Sequence, residues 1–336
     1  MNENSCVIFG GSGFIGRHFT LFLLDNKLVD KVYLYDLEVP DWIPGDLNEV
    51  KIFFVHGDVR KKIAAQALPK QIIFIVNFAA IHREPGHEDY EYFQTNLLGA
   101  ESICKFAENV KCNNIIFTSS ISPYGVSESI KDELTLPIPV TSYGSSKLVA
   151  EKIHQIWQAK NVNNHRLVIV RPGVVFGPGE GGNVSRLINA VIHRYFFFMG
   201  NESTRKAGVY VKELCNAIWW ALQEQKKNGE NAILFNMSMN PGPSIGEYVK
   251  AVCKTQGIKR LVPTVPYRAL IGIAYVIDAL AKPFGIKHPF SPVRIRKLVR
   301  SNNIIPTYLI EHGYQFQYSL ENAFADWKKS CPEEWK

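Results

Sequence analysis

Short apolar runs alternate with amphipathic stretches through the first half of the chain. The runs CVIFG, KVYLYDL, VKIFFVHGD, QIIFIVNFAA, NNIIFTSS and HRLVIVRP are rich in Val, Ile and Phe and show little polar alternation, which predicts strands covered on both faces. Between them, FIGRHFTLFLLDN, DYEYFQTNLLGAESICKFAENV and SYGSSKLVAEKIHQIWQAK carry apolar residues at helical spacing. Strand and helix in this rhythm predict a doubly wound α/β architecture, a parallel sheet with helices on both faces.

The rhythm breaks after Pro172, at GVVFGPGEGGNVSRL, whose glycines suit a loop that wraps a ligand. A smaller, mixed lobe is expected to begin there. The strand-like GVYV and AILFNMS, with the helix ELCNAIWWALQEQ between them, are expected to return to the main sheet. The predicted division is therefore 1–172 with 207–240 for the sheet domain, and 173–206 with 241–336 for the smaller lobe. The late stretch Leu261 to Gly285 is the most apolar, but Pro263, Pro266, Arg268, Asp278 and Lys282 leave too short a core to span a bilayer. It reads as an amphipathic helix, either packed in the fold or resting on a membrane surface.

With 336 residues, 46% of them hydrophobic and 21% charged, the chain is long enough to fold on a large core without covalent staples. Its six cysteines show no CxxC pair and no zinc spacing with histidine, so reduced thiols and no metal site are expected. The opening MNENSCVIFGG shows no basic region or cleavage site, which makes the cytoplasm the expected location. A net charge of +7 favours anionic ligands. Much of it gathers at Lys287, Arg294, Arg296, Lys297 and Arg300, a cluster that reads as a solvated face, a diphosphate site or a contact with an anionic membrane. No nucleic-acid motif accompanies it.

Gly10, Gly13 and Gly16 in FGGSGFIG follow the first strand and open the first helix. Glycines here permit a tight turn, let the backbone approach a pyrophosphate and allow close helix packing, while the helix N-terminus offers amide donors to the phosphates. Asp36 ends the second strand twenty residues beyond Gly16, where a carboxylate binds an adenosine ribose and repels a 2′-phosphate. Together they predict a Rossmann-type site for NAD.

Tyr143 and Lys147 lie one helical turn apart in TSYGSSKLVAEK, on one face of their helix. This is the only YxxxK in the chain, and it follows Ser120, at the end of the strand NNIIFTSS, by 23 residues. In an open α/β sheet, ligands bind beyond the carboxyl ends of the strands, so Ser120 and the Tyr143 helix are expected to meet the nicotinamide there. A tyrosine titrates near ~10 in isolation; Lys147 and a cationic nicotinamide would both favour the phenolate and bring it closer to working pH as a base.

The set GGSGFIG, GDVR, NFAA, TN, TSS, YGSSK and RPGVVFGPG, in this order over nearly the whole chain, resembles the extended short-chain dehydrogenase/reductases, the NAD-dependent sugar epimerase and dehydratase family. The resemblance implies that Ser120, Tyr143 and Lys147 are catalytic. It implies cofactor contacts from Gly10, Gly13, Phe14, Ile15, Gly16, Asp36, Ala79, Ala80, Asn96, Tyr143, Lys147 and Pro172, with Asp58 and Val59 at the adenine. It also implies a diphosphate-linked sugar in the smaller lobe, and a homodimer built through the helices near Asn96 and Lys147.

Dehydratases of the family carry an Asp-Glu pair after the strand, where this chain has Ile121 and Ser122, so epimerisation or ketone reduction is favoured. The stretches AAIHREPGHEDYEYFQTN, GGNVSRL, STRKAGVYV and SPVRIRKL are similar to a bacterial subgroup that builds surface polysaccharides, including 4-epimerases of N-acetylglucosamine carried on UDP or on undecaprenyl diphosphate. On that basis His82, Arg83, Ser122, Asn183, Arg186 and Tyr210 are expected to face the substrate, with either Arg205 or Lys206 in place of the arginine that many UDP-sugar epimerases direct at the diphosphate. The expected activity is C4 epimerisation through a 4-keto sugar with tightly held NAD; the alternative is an NAD(P)H-dependent reductase of a UDP-4-keto-6-deoxy sugar. An undecaprenyl-linked substrate would place the enzyme peripherally on the inner face of the membrane, with contact to anionic lipid.

Overall fold

The computed structural model describes residues 4–43, 51–83, 86–126, 128–281 and 300–336. The six apolar runs form β1 (Ser5–Phe9), β2 (Lys31–Asp36), β3 (Ile52–His56), β4 (Phe74–Asn77), β5 (Asn114–Thr118) and β6 (Arg166–Pro172). The amphipathic stretches form α1 (Phe14–Asp25), α2 (Asp89–Asn109) and α3 (Ser142–Ala159).

The chain then forms β7 (Val174–Phe176), α4 (Asn183–Ile192), β8 (Phe198–Met199), β9 (Gly208–Tyr210), α5 (Val211–Asn228) and β10 (Ala232–Met237). β10 joins the first six strands in one sheet of order β3-β2-β1-β4-β5-β6-β10, with every ladder parallel. Successive residues of a strand point to opposite faces. Ile8 thus packs in a core with Phe19 and Leu23 of α1 and Leu214 and Ile218 of α5. Val7 and Phe9 pack in another with Ile103 and Phe106 of α2 and Trp157 of α3.

AILFNM returns to the main sheet as expected, but GVY does not. It pairs with β7 in a separate two-stranded sheet, because the backbone at Gly173 passes so close to Ala207 that a Cβ there would stand 2.5 Å from the Ala207 oxygen. A third core gathers Phe176, Ile188, Tyr210 and Phe324 with Tyr248 of α6 (Ile245–Gln256) and Trp327 of the helix Leu320–Ser330. The late chain contributes to the first core too, through Leu309 and Tyr314.

After β11 (Thr264–Val265), the apolar late stretch forms α7 (Tyr267–Ala281). It buries only Leu270 and Ala274, against Phe197, Met199 and Val265, while Ile273, Val276 and Leu280 are 54, 59 and 67% exposed. Among the described residues no helix is long and apolar enough to cross a membrane. Lys287, Arg294, Arg296 and Lys297 of the basic cluster lie outside the described residues.

Candidate functional site

Strand order reverses between β1 and β4, and the glycine loop sits at that crevice. Gly10 has φ of +77°, and a Cβ there would stand 2.5 Å from the Ala79 amide nitrogen beyond β4. A Cβ at Gly16 would meet the carbonyl oxygens of Gly10 and Gly11, each at 2.6 Å. The backbone therefore closes on itself as a phosphate cradle requires. α1 starts at Gly13 with no side-chain cap and no acidic residue in its first turn, where Phe14 and Ile15 are half-buried. α2, α3 and α6, by contrast, are capped by their own side chains.

Asp36 accepts from the Ser12 amide at 3.0 Å and the Leu37 amide at 2.7 Å, which ties the glycine loop to the end of β2. An ionised carboxylate has further acceptor positions for ribose hydroxyls. Asp58 receives the Arg60 guanidinium at 2.8 to 3.0 Å, and this hydrogen-bonded fork holds its carboxyl below the usual range. Val59 is buried beside Gly99 of α2. Asn96, also on α2, accepts from the Ile81 amide at 3.0 Å and donates to the Ile81 carbonyl at 3.2 Å and to Ser146 at 2.9 Å. It thereby fixes the Ala79–Ala80 segment against α3.

Thr141 caps α3 by accepting from the Gly144 amide at 3.1 Å. The first turn of the helix rests on the loop after β5, where a Cβ at Gly144 would come within 2.8 Å of the Ser122 oxygen. Ser120 Oγ donates to Ser122 Oγ at 3.1 Å and accepts from the Ser122 amide at 3.1 Å. One turn into α3, Lys147 Nζ donates to the Thr118 carbonyl at 2.6 Å and stands 4.5 Å from the Phe117 ring centroid. Burial pulls the ammonium down to about 7, with Glu151 working in the opposite direction. The Tyr143 ring lies 6.1 Å from that of Tyr92. The fold therefore brings Ser120, Ser122, Tyr143 and Lys147 together at the carboxyl edge of the sheet, beside Pro172, whose oxygen accepts from the Ile121 amide at 3.1 Å.

Behind this edge lies a set of residues that no motif announces. Glu151, fully buried one turn beyond Lys147, accepts from Arg171 at 2.8 and 2.6 Å and from the Ser119 hydroxyl at 2.5 Å. Arg171 in turn lies over the Tyr124 ring, whose hydroxyl donates to Asn236 at 2.8 Å. His154 stacks on Phe117 at 4.2 Å. Two sequence signals mark the pair: Glu151 repeats the four-residue spacing of Tyr143 and Lys147, and Arg171 is a charge that follows directly on the apolar run LVIV of its strand.

The expected substrate residues divide. His82 and Arg83 are exposed beyond β4, and Asn183 and Arg186 are exposed at the start of α4, where Arg186 donates to Asn183 at 2.7 Å. Arg205 is engaged with the Gly242 carbonyl and with Glu247 at 3.7 Å. Lys206 donates to the Arg300 carbonyl at 2.6 Å. Tyr210 is fully enclosed in the third core, with its hydroxyl on Asp326 at 2.5 Å.

A buried Asn77 Oδ1 and Thr118 Oγ1 have no hydrogen-bond partner in the protein and lie at the carboxyl ends of β4 and β5. Buried polar atoms of this kind suit a site that closes on a polar ligand. The glycine loop, the Asp36 carboxylate and the Ser120, Tyr143 and Lys147 set all lie at the carboxyl ends of the parallel strands, where an open α/β sheet binds its ligands. The model of the NAD dependent epimerase/dehydratase family matches residues 6–237, and the chain belongs to that family, whose cofactor is NAD. The chain is 28% identical over 326 residues to the N-acetyl-alpha-D-glucosaminyl-diphospho-ditrans,octacis-undecaprenol 4-epimerase of Escherichia coli O157:H7, covering 96% of this chain and 93% of that one. It is 26% identical over 273 residues to a UDP-glucose 4-epimerase of Halalkalibacterium halodurans, covering 74% and 79%. The structure of UDP-glucuronic acid 4-epimerase from Bacillus cereus in complex with NAD matches with a TM-score of 0.73 at 20% identity, over 99% of this chain and 100% of that one.

Proposed function

We propose that the chain is an NAD-dependent C4 epimerase of a diphosphate-linked N-acetylhexosamine or hexose, acting through a 4-keto sugar in surface polysaccharide synthesis. The observation that carries this reading is the gathering of Ser120, Tyr143 and Lys147 at the carboxyl edge, next to Ile121 and Ser122 where elimination of water would need an acid and a base. A full-length relative that is itself a diphosphosugar 4-epimerase supports it.

Gly10, Gly13 and Gly16 hold the NAD pyrophosphate, Asp36 the adenosine ribose, and Asp58 and Val59 the adenine edge. Ala79, Ala80, Asn96 and Pro172 line the rest of the cofactor site. Bound NAD supplies a reversible hydride acceptor for C4. Ser120 bonds the C4 hydroxyl and Tyr143 takes its proton, while the Lys147 charge favours the phenolate. Inversion requires the flat 4-keto sugar to present its other face, so the ring must be held loosely and the diphosphate firmly. Asn183 and Arg186, exposed at the start of α4, take that grip, and His82 and Arg83, exposed beyond β4, are further substrate contacts.

The carrier in this reading is a polyprenyl chain. α7 presents an apolar outer face and is followed in sequence by six lysines and arginines between 282 and 300, a combination that suits an anionic membrane surface. Leu98 on α2 and Val149 and Ile156 on α3 are exposed apolar residues, which supports a homodimer joined through these two helices. Unfolding the purified protein and measuring the nucleotide released tests the central reading. About one NAD per chain is expected of an epimerase; none would transfer the assignment to a 4-keto-sugar reductase, which releases its cofactor in every cycle.

A further inference from the structure

One peptide unit in the glycine-rich loop is gripped at both ends. The Pro178 carbonyl accepts from His18 Nε2 at 2.8 Å, and the amide of Gly179 donates to Glu334 Oε1 at 2.9 Å. His18 lies on α1, the helix whose N-terminus forms the phosphate cradle. Burial pulls its imidazole down to about 4, so at neutral pH the ring is uncharged, and a carbonyl partner requires the proton on Nε2. Glu334 lies in the 3-10 turn Pro332–Trp335, and its second oxygen accepts from Trp327 Nε1 at 2.6 Å. That turn is itself fixed: Trp335 is 3% exposed and packs on Phe324 and Trp327, at ring separations of 5.5 and 5.9 Å.

The gripped peptide leads directly into α4. Gly179 has φ of +83°, and a Cβ there would stand 3.4 Å from Arg17 Nη1, so the backbone has little choice of residue. Glu180 then accepts from the Ser185 amide at 2.8 Å, locking the remaining turn to the helix. Gly181 and Gly182 lie between the grip and Asn183, and the Glu180 bonds to the amide and hydroxyl of Ser185 span them.

We propose that Glu334 is a positioning residue for the substrate's diphosphate: together with His18 it pins the Pro178–Gly179 peptide and so sets Asn183 and Arg186 in register with the cofactor helix. This rests on the reading of the glycine-rich loop as the diphosphate site. Glu334 need not touch the substrate. Its effect is to keep the loop in the binding conformation, so that ordering is not left to the moment of binding.

Three variants of the full chain test this: Glu334→Ala, Glu334→Gln, and Glu333→Ala as a neighbouring control. Amide hydrogen exchange across 177–182 should rise in Glu334→Ala by roughly three- to ten-fold, as expected for loss of one solvent-exposed hydrogen bond. KM for the diphosphate sugar should rise by a similar factor, roughly three- to ten-fold, with kcat nearly unchanged. Glu334→Gln retains one acceptor oxygen where the carboxylate offers two, to the Gly179 amide and the Trp327 indole, and should recover part of both effects; Glu333→Ala should show neither. Unchanged exchange in Glu334→Ala would overturn the proposal. Faster exchange with an unchanged KM would also overturn it, since Glu334 would then be a structural contact only. If the wild-type protein inverts no diphosphate sugar, the functional reading fails on its own, and the exchange experiment still decides whether the grip exists.

Discussion

Lys147 Nζ donates to the Thr118 carbonyl at 2.6 Å, which bolts the first turns of α3 to the end of β5. The bond fixes the helix that carries Tyr143 relative to the strand that leads to Ser120. Burial pulls the Lys147 ammonium down to about 7, with the Glu151 carboxylate favouring its charged form. Replacing Tyr143 with Phe should therefore reduce turnover by at least ~100-fold while leaving NAD bound. Activity assays paired with measurement of released nucleotide check this; retained activity would remove Tyr143 from the chemistry.

The Glu151 and Arg171 pair, 1 and 4% exposed at the side chains, predicts a stability effect. Glu151→Gln leaves an arginine buried without its counter-charge and should cost about 3 kcal/mol in denaturant unfolding. A loss below ~0.5 kcal/mol, typical of a surface site, would contradict the buried-pair description.

Burial lowers His154 to about 4 from an ordinary 6.5. Its protonated form is the charged one, so between those values the unfolded chain binds the proton and the folded protein does not. Stability falls as pH drops through this window, by up to ~1.4 kcal/mol per pH unit. Unfolding curves at pH 7, 5.5 and 4.5 should show a shallower acid loss for His154→Gln than for the wild type. Equal slopes would remove His154 from the acid response.

Much of this was legible before the structure, and the reason is locality. The glycines, Asp36 and the Tyr143 spacing each act within one strand-to-helix unit, so chain order alone places them. Glu151 and Arg171 become partners only after α3 docks across β6. GVY reads as a strand in either setting, and its pairing with β7 instead of β10's sheet depends on the close approach at Gly173. Arg205 carries the charge expected of a diphosphate ligand, but the Gly242 carbonyl that engages it lies 37 residues away.

The outer face of α7 predicts lipid binding. The protein should sediment with vesicles containing anionic lipid at moderate salt, and Val276→Asp with Leu280→Asp should weaken this by about ten-fold or more. Absence of binding by the wild type would leave UDP as the carrier.

The most direct test is to incubate the purified protein, with no cofactor added, with undecaprenyl-diphosphate-N-acetylglucosamine and separately with UDP-N-acetylglucosamine, following the configuration at C4 by NMR. The account predicts inversion, with the polyprenyl substrate preferred. Inversion of neither, from protein that carries NAD, would contradict it.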